Sequence, residues 1–303
     1  MKNVVCIGGL LLALMPAAAV AQTEEPSQAV GFDIFASSDA DHSDVLKLGL
    51  TYDFAYTDLE HYQGIRLETF TFTAKGTRTT TKLRGYYDFA GTGDRWKWNG
   101  AIGTDGHSVL GNGSFYTDEA FRQEYFASRD LVETPLGVRR ELYSTFVGAA
   151  YDVPLDDRNT ITALAGVQKF DGDNWRLHLR GRYIYAVEPD WGLSLQLRSR
   201  YFQNSSPHEY DYFSPRWYFE AVPTIQLRRF YHRWQYTVAV GWGARRDADM
   251  NWRSAALAEA SVVSPSFGQD WYMKAGFTYS DMPVSAGYAY SYEQATVSIL
   301  KKF

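Results

Sequence analysis

The chain has 303 residues, a formal net charge of −5, 16% aromatic residues and a single cysteine. Its mild acidity argues against a nucleic-acid binder, which normally carries a basic excess. With one thiol there is no internal disulfide and no Cys-rich metal site.

The N-terminal stretch "MKNVVCIGGLLLALMPAAAVA" has Lys2 as a short positive region, an apolar core from Val4 to Leu14, and Ala19-Val20-Ala21 before Gln22. That pattern predicts a signal peptide over 1–21, cut after Ala21. The core is shorter than the ~20 residues a membrane-spanning helix needs. Cys6 lies inside this segment, far from the cleavage site, so no lipid-anchored N-terminus is expected. Cleavage would leave 282 residues with 29 basic and 35 acidic side chains and all 49 aromatics. Residues 22–28, "QTEEPSQ", read as a short polar leader, and 29–303 as one domain without linker or helical repeat. Beyond residue 21 there is no apolar run long enough for a membrane helix. An exported, aromatic-rich chain of this kind is a soluble all-β protein or an outer-membrane barrel, whose strands are apolar only at every second residue.

Alternation with period two recurs from residue 29 to the end. The predicted strands are 29–38, 44–57, 62–74, 77–91, 95–104, 141–154, 160–170, 174–187, 191–204, 215–229, 233–246, 252–264, 270–281 and 285–303. These make an all-β, antiparallel transmembrane barrel of about 14 strands, with 12 to 16 as bounds. In the second strand Leu46, Leu48, Leu50, Tyr52, Phe54 and Tyr56 share a face opposite Lys47, Thr51 and Asp53. In "NWRLHLRGRYIYAV" Trp175, Leu177, Leu179, Tyr183, Tyr185 and Val187 oppose Arg176, His178, Arg180 and Arg182. Aromatics at both ends of the apolar faces, Trp175 with Tyr185 and Trp234 with Trp242, suit the girdles of a membrane barrel. Counting outward from a periplasmic N-terminus makes "TDLEH", "GTGDR", "LDDRN", "EPDW", "YHR" and "SPSFGQD" short periplasmic turns. The longest connections, 105–140 and 205–214, then fall outside. In 105–140, Phe121, Tyr125, Arg129 and Val132 recur at helical spacing. A short helix folded over or into the pore and an extended strand pair both remain open.

With the aromatic faces in lipid, the lumen receives Lys82, Arg84, Arg176, Arg180, Arg182, Arg198, Arg200, Arg228 and Arg245, together with Asp53, Asp88 and Glu220. Such guanidinium groups either hold the wall rigid through charge pairs or line a path for anions or a sugar chain. The outer stretch "SSPHEYDYFSPRWYFE" gathers Tyr210, Tyr212, Phe213 and Trp217 beside Glu209 and Arg216. This set fits carbohydrate stacking or an interface girdle. Among the histidines, His42, His61, His107, His208 and His232 fall at turns or strand ends and His178 on a polar strand face. No metal-binding spacing, HExxH or GxSxG motif occurs, so no metal, cofactor or enzyme activity is expected.

"YDYFSPRWYFE", the following strand ending "IQLRR", a Trp-led strand and the terminal "ATVSILKKF" resemble the C-terminal barrels of bacterial exopolysaccharide exporters, the outer-membrane secretins for cellulose and poly-N-acetylglucosamine. The resemblance spans Arg200 to Phe303 and centres on Tyr212, Phe213, Ser214 and Pro215. It implies a channel for a growing glycan, in the outer membrane of a Gram-negative bacterium, with Phe303 as the aromatic read by the barrel assembly machinery. Those exporters carry a helical-repeat periplasmic scaffold and a somewhat larger barrel, so a separate scaffold protein is an expected partner. Lys301 stands where the assembly signal is usually apolar. The expected function is a porin-like channel passing polysaccharide. The alternatives are a closed structural or adhesion barrel with binding outer loops, and a lipid-modifying enzyme.

Overall fold

In the computed structural model, residues 27–40, 42–266, 269–281 and 291–303 are described. The predicted signal peptide, most of the leader and the start of the predicted last strand lie outside these residues. Sixteen strands occur among them: β1 (Ser27–Asp39), β2 (Ser43–Asp58), β3 (His61–Ala74), β4 (Thr80–Thr92), β5 (Trp96–Thr104), β6 (Val109–Thr117), β7 (Arg122–Leu131), β8 (Tyr143–Pro154), β9 (Asn159–Phe170), β10 (Trp175–Glu188), β11 (Leu193–Asn204), β12 (Trp217–Tyr231), β13 (Trp234–Asp247), β14 (Arg253–Val263), β15 (Trp271–Ser280) and β16 (Tyr292–Lys302). One short helix, α1 (Pro135–Arg140), interrupts the series.

Each strand pairs antiparallel with its sequence neighbours, and β1 pairs β16 to close the barrel. The closing register runs from Ala29 opposite Lys302 to Asp39 opposite Tyr292. Closure satisfies the backbone groups that an open edge would leave bare in lipid. The terminal alternation is therefore a wall strand: Ile299 and Phe303 face out, while Leu300 is buried inside.

The count corrects the predicted 14. Residues 105–140 are not one connection but hold β6 and β7, followed by α1. A spacing of four is even, so Phe121 and Tyr125 share a face of a strand as readily as of a helix. Both rings in fact stand exposed on the barrel exterior. The extended reading therefore holds for this stretch, and α1, which begins only at Pro135, contains none of the four residues at helical spacing.

The exterior and interior are inverted relative to a soluble domain. Leu50 is 65% exposed and Leu83 64%, while Arg84, Asp53 and Asp88 are each 1% exposed. An apolar belt turned outward around the whole barrel fits a hydrocarbon surround and rules out the soluble sandwich. Trp191, Phe230 and Tyr231 rim the end that holds both termini, and Trp175, Trp242 and Trp252 lie toward the other, as girdles do. One predicted outward residue turns in. A bulge between Asp53 and Ala55 shifts the register by one, and Tyr56 is buried against Tyr62 and Leu300.

Connections at the end holding the termini are short, and the long segments 132–142 and 205–216 lie at the opposite end. That matches the expected division between periplasmic turns and outer loops.

Candidate functional site: the charged bore

A sixteen-stranded barrel is wide enough to leave an aqueous channel. Here a cavity of about 1220 Å³ runs from Arg228 and Phe230, by the turns at the termini end, to Val132 and Phe213 beneath the outer loops. It exceeds the ~300–1,000 Å³ of a small-molecule pocket. Its two long walls are built differently.

The wall of β2, β3, β4 and β7 neutralises itself. Lys47 Nζ lies 2.7 Å from Glu133 and 3.5 Å from Asp130. Arg84 reaches Glu68 at 3.3 Å and Asp130 at 3.2 Å. Arg66 reaches Glu68 at 2.7 Å and Asp88 at 3.3 Å. Phe70 lies under the Arg84 guanidinium, 4.1 Å from ring centroid to charge. Toward the outer end this wall turns apolar: Val45, Phe70, Phe72, Leu110 and Leu131 pack with Val138 of α1. Segment 132–142 therefore folds into the bore rather than away from it. Gly137 permits the tight entry to α1, since a Cβ there would stand 2.2 Å from the Val132 carbonyl oxygen. Thr134 caps the helix by accepting from the Gly137 N–H at 3.1 Å.

The wall of β10, β11 and β12 is cationic. In the β10–β11 register Arg180 stands opposite Arg200, and Arg182 opposite Arg198. Arg198 pairs with Glu259 at 2.9 Å and donates to Gln196 at 3.0 Å. Arg180 and Arg200 make no ion pair among the described residues, and the Nε of each is buried without a hydrogen-bond partner. Glu220 is opposite Arg200 in the next register, but accepts the Tyr218 hydroxyl at 2.6 Å. His178, on the polar face as expected, meets Gln168 at 3.0 Å and the Phe146 ring edge-on.

At the outer mouth Arg176 sits among rings, 4.6 Å from Phe202 and 4.9 Å from Phe170. Phe213 lines the cavity beside it. Tyr212 lies flat on Phe170, centroids 4.2 Å apart, and is buried rather than displayed outward. Burial, then the Glu209 carboxylate that it contacts at 3.0 Å, raises the Tyr212 hydroxyl above its ordinary range. Tyr210 flanks Tyr212, and Trp217 stands at the rim with Arg246 over its ring at 5.8 Å. Asp211 joins the two long outer segments: it accepts the Thr134 hydroxyl and the Leu136 N–H, each at 2.6 Å.

The predicted site residues thus divide. Arg176, Arg180, Arg182, Arg198, Arg200 and Arg228 line the cavity as one wall. Arg84 belongs to the neutralised wall, and Lys82 is taken up near the outer rim by Glu141 at 2.7 Å and Asp105 at 3.5 Å. Arg245 is buried in the β12–β13 register opposite Glu220. Sequence reasoning missed Lys47 as a partner, Arg66, Glu68, Asp130, Glu133 and Asp211, whose contacts join distant strands and loops. Arg66 and Glu68 carry a usable signal, since they alternate with Leu67 on β3.

No protein-family model and no curated protein matches the chain. Among solved structures it is similar to a bacterial polysaccharide outer membrane secretin, with a TM-score of 0.67 at 13% identity, covering 92% of this chain and 99% of that one. It also aligns with OccAB3 of Acinetobacter baumannii (TM-score 0.42, 10% identity, 92% and 99% covered) and with the KdgM porin (0.35, 10%, 90% and 99%). The likeness to the secretin is one of fold and extends over nearly the whole barrel, not only the last hundred residues. The chain shares its fold with a polysaccharide secretin barrel of the outer membrane.

Proposed function

We propose that the chain is a channel of the Gram-negative outer membrane that passes a polysaccharide. One observation carries the reading: a long bore with an apolar exterior, whose β10–β12 wall is lined by guanidinium groups that are not all neutralised. Water-filled and cationic on one side, that wall favours anions and can hydrogen-bond hydroxyls along a chain. The secretin likeness supports a polysaccharide as cargo, and a separate periplasmic scaffold belongs to this reading through the sequence resemblance alone. The signal peptide over 1–21 belongs to this reading, as does recognition of Phe303 by the assembly machinery. A second reading, a closed structural barrel, draws on the Asp211 link that draws two outer segments together over the mouth.

Single-channel recording of the refolded mature chain in a planar bilayer separates the two. A stable conductance with a reversal potential on the anion side is the expected result. Silence from folded protein would overturn the channel and favour the closed barrel.

A further inference from the structure

Arg246 faces out of the barrel. On β13 it shares the outward parity of Trp242 and Ala244, and in register it stands opposite Phe219 of β12. It lies at the outer end of β13, where Trp217 and Trp252 mark the membrane interface. The other outward cations of the described strands each have an oxygen to meet. Arg129 reaches Asp171 at 3.6 Å and Lys301 reaches Asp270 at 3.4 Å. Lys169 donates to the Gly172 carbonyl, and Arg229 to that of Asp190 at 3.1 Å. Around Arg246 the described residues offer rings alone, with Trp217 at 5.8 Å and Trp252 set edge-on to Phe219. The acids that follow it in sequence are engaged elsewhere, Asp247 by Arg253 at 2.7 Å and Asp249 by His208 at 3.4 Å.

Below this cation runs a groove. The outward residues of β14 are Ser254, Ala256, Ala258 and Ala260, whereas β10 and β11 put Leu and Tyr into the belt. Ser254 is opposite Ala244, two residues before Arg246, so the groove begins one outward step beneath the guanidinium. Trp242, Val240 and Val238 of β13 flank the three alanines on one side, and Tyr279 and Phe277 of β15 on the other. From Ser254 to Ala260, six steps of about 3.3 Å span about 20 Å along the strand. At a tilt of about 35–45° that crosses about 15 Å of membrane, half of the ~30 Å hydrocarbon core. A groove one leaflet deep suits an acyl chain, and a guanidinium at its outer end suits a phosphate, which it can meet with two parallel hydrogen bonds.

We propose that Arg246 and the β14 groove bind a phosphate-bearing lipid of the outer leaflet, with its head on the guanidinium and one acyl chain along Ser254, Ala256, Ala258 and Ala260. The site requires the membrane barrel and no particular cargo in the bore.

Native mass spectrometry of the protein released from membranes in mild detergent counts bound lipid directly. The probes are dimyristoyl phosphatidic acid and dimyristoylglycerol, which differ only in the phosphate. Phosphatidic acid should bind at least tenfold more tightly than the diacylglycerol. Arg246→Gln should abolish that preference, while Arg78→Gln, in the β3–β4 turn far from the groove, should keep it. Ala258→Trp fills the groove and should weaken both probes; Leu195→Trp, adding bulk elsewhere on the belt, should weaken neither. Both groove changes face outward, so the barrel should stay folded, as read by its mobility on unheated gels. Equal binding of the two probes, or a preference that survives Arg246→Gln, would overturn the head site. Unchanged binding in Ala258→Trp would overturn the groove. A dimer that Ala258→Trp abolishes and phosphatidic acid leaves intact would give this face to a second copy and overturn the lipid.

Discussion

Asp211→Ala should loosen the outer mouth without unfolding the barrel. Asp211 accepts from Thr134 Oγ1 and from the Leu136 N–H, both at 2.6 Å, and so fastens segment 205–216 to the start of α1. Hydrogen bonds to a charged group contribute about 1.5–3 kcal/mol each. Asp211 is partly open to solvent, so the low end applies to both, and the link is worth about 3 kcal/mol. At 1.4 kcal/mol per decade, its removal raises the population with the segments apart by about a hundredfold. Other contacts on each segment remain: Glu209 still accepts from the Asp173 and Asn174 N–H groups, and Val138 stays in its apolar cluster. Hydrogen exchange read by mass spectrometry on the refolded chain is the assay. Amides within 132–142, including Val138 and Leu142, whose N–H groups bond Thr134 and Gly137 carbonyls, should exchange up to a hundredfold faster. Strand amides should not change. Asp211→Asn keeps one acceptor and should lie between. Unchanged exchange over 132–142 in Asp211→Ala would refute the link, as would faster exchange spread over the whole barrel.

Leu50→Arg places a charge on the outward face at the middle of β2 and should cost about 2–4 kcal/mol in urea unfolding from lipid vesicles. Burial raises the Asp105 carboxyl, but the Tyr143 hydroxyl, the Ser108 and His107 N–H groups and Lys82 outweigh it and lower it from 3.8 to about 2. A depressed carboxyl stabilises the fold above its unfolded value and loses that effect as pH falls through its folded one. Stability should therefore drop between pH of about 4 and about 2, and Asp105→Asn should flatten that drop in thermal unfolding measured across the window. Deleting Phe303 removes two backbone hydrogen bonds with Gln28, worth about 1 kcal/mol each, so refolding in detergent should survive. Loss of the folded barrel from cells, with refolding intact, is the expected signature of a read signal; equal membrane levels would exclude it.

Which faces meet lipid was legible because β-strand parity is local: Leu177, Leu179 and Tyr183 are exposed and the arginines between them line the bore. The strand count was not, because β6 reads "VLGNGSFYT", with small residues where an outward face would be marked. The segment folded in beneath the mouth left a subtler mark on β3. Its outward residues change from Ile65 and Leu67 to Thr69, Thr71 and Thr73, while Phe70 and Phe72 turn inward and are buried. Such an exchange of faces within one strand says that the strand has left the bilayer and that something apolar fills the lumen there. Charge partnership was out of reach. Lys47 meets Glu133, and Thr134 meets Asp211, across separations that only closure of the barrel brings together.

The contrast between the walls bears on why the arginines are there. A rigidity role needs carboxylates within reach, and the wall of β2, β3, β4 and β7 supplies Glu68, Asp88 and Asp130 within 3.5 Å of its cations. The β10–β11 wall, built by the same chain to the same geometry, faces Arg180 with Arg200. Solvent and salt screen such repulsion in a solvent-open bore, so a barrel can tolerate it. Tolerance explains survival, not placement. With a nearly neutral wall on one side and a cationic one on the other, the field points across the bore and favours negative charge on the β10–β11 side.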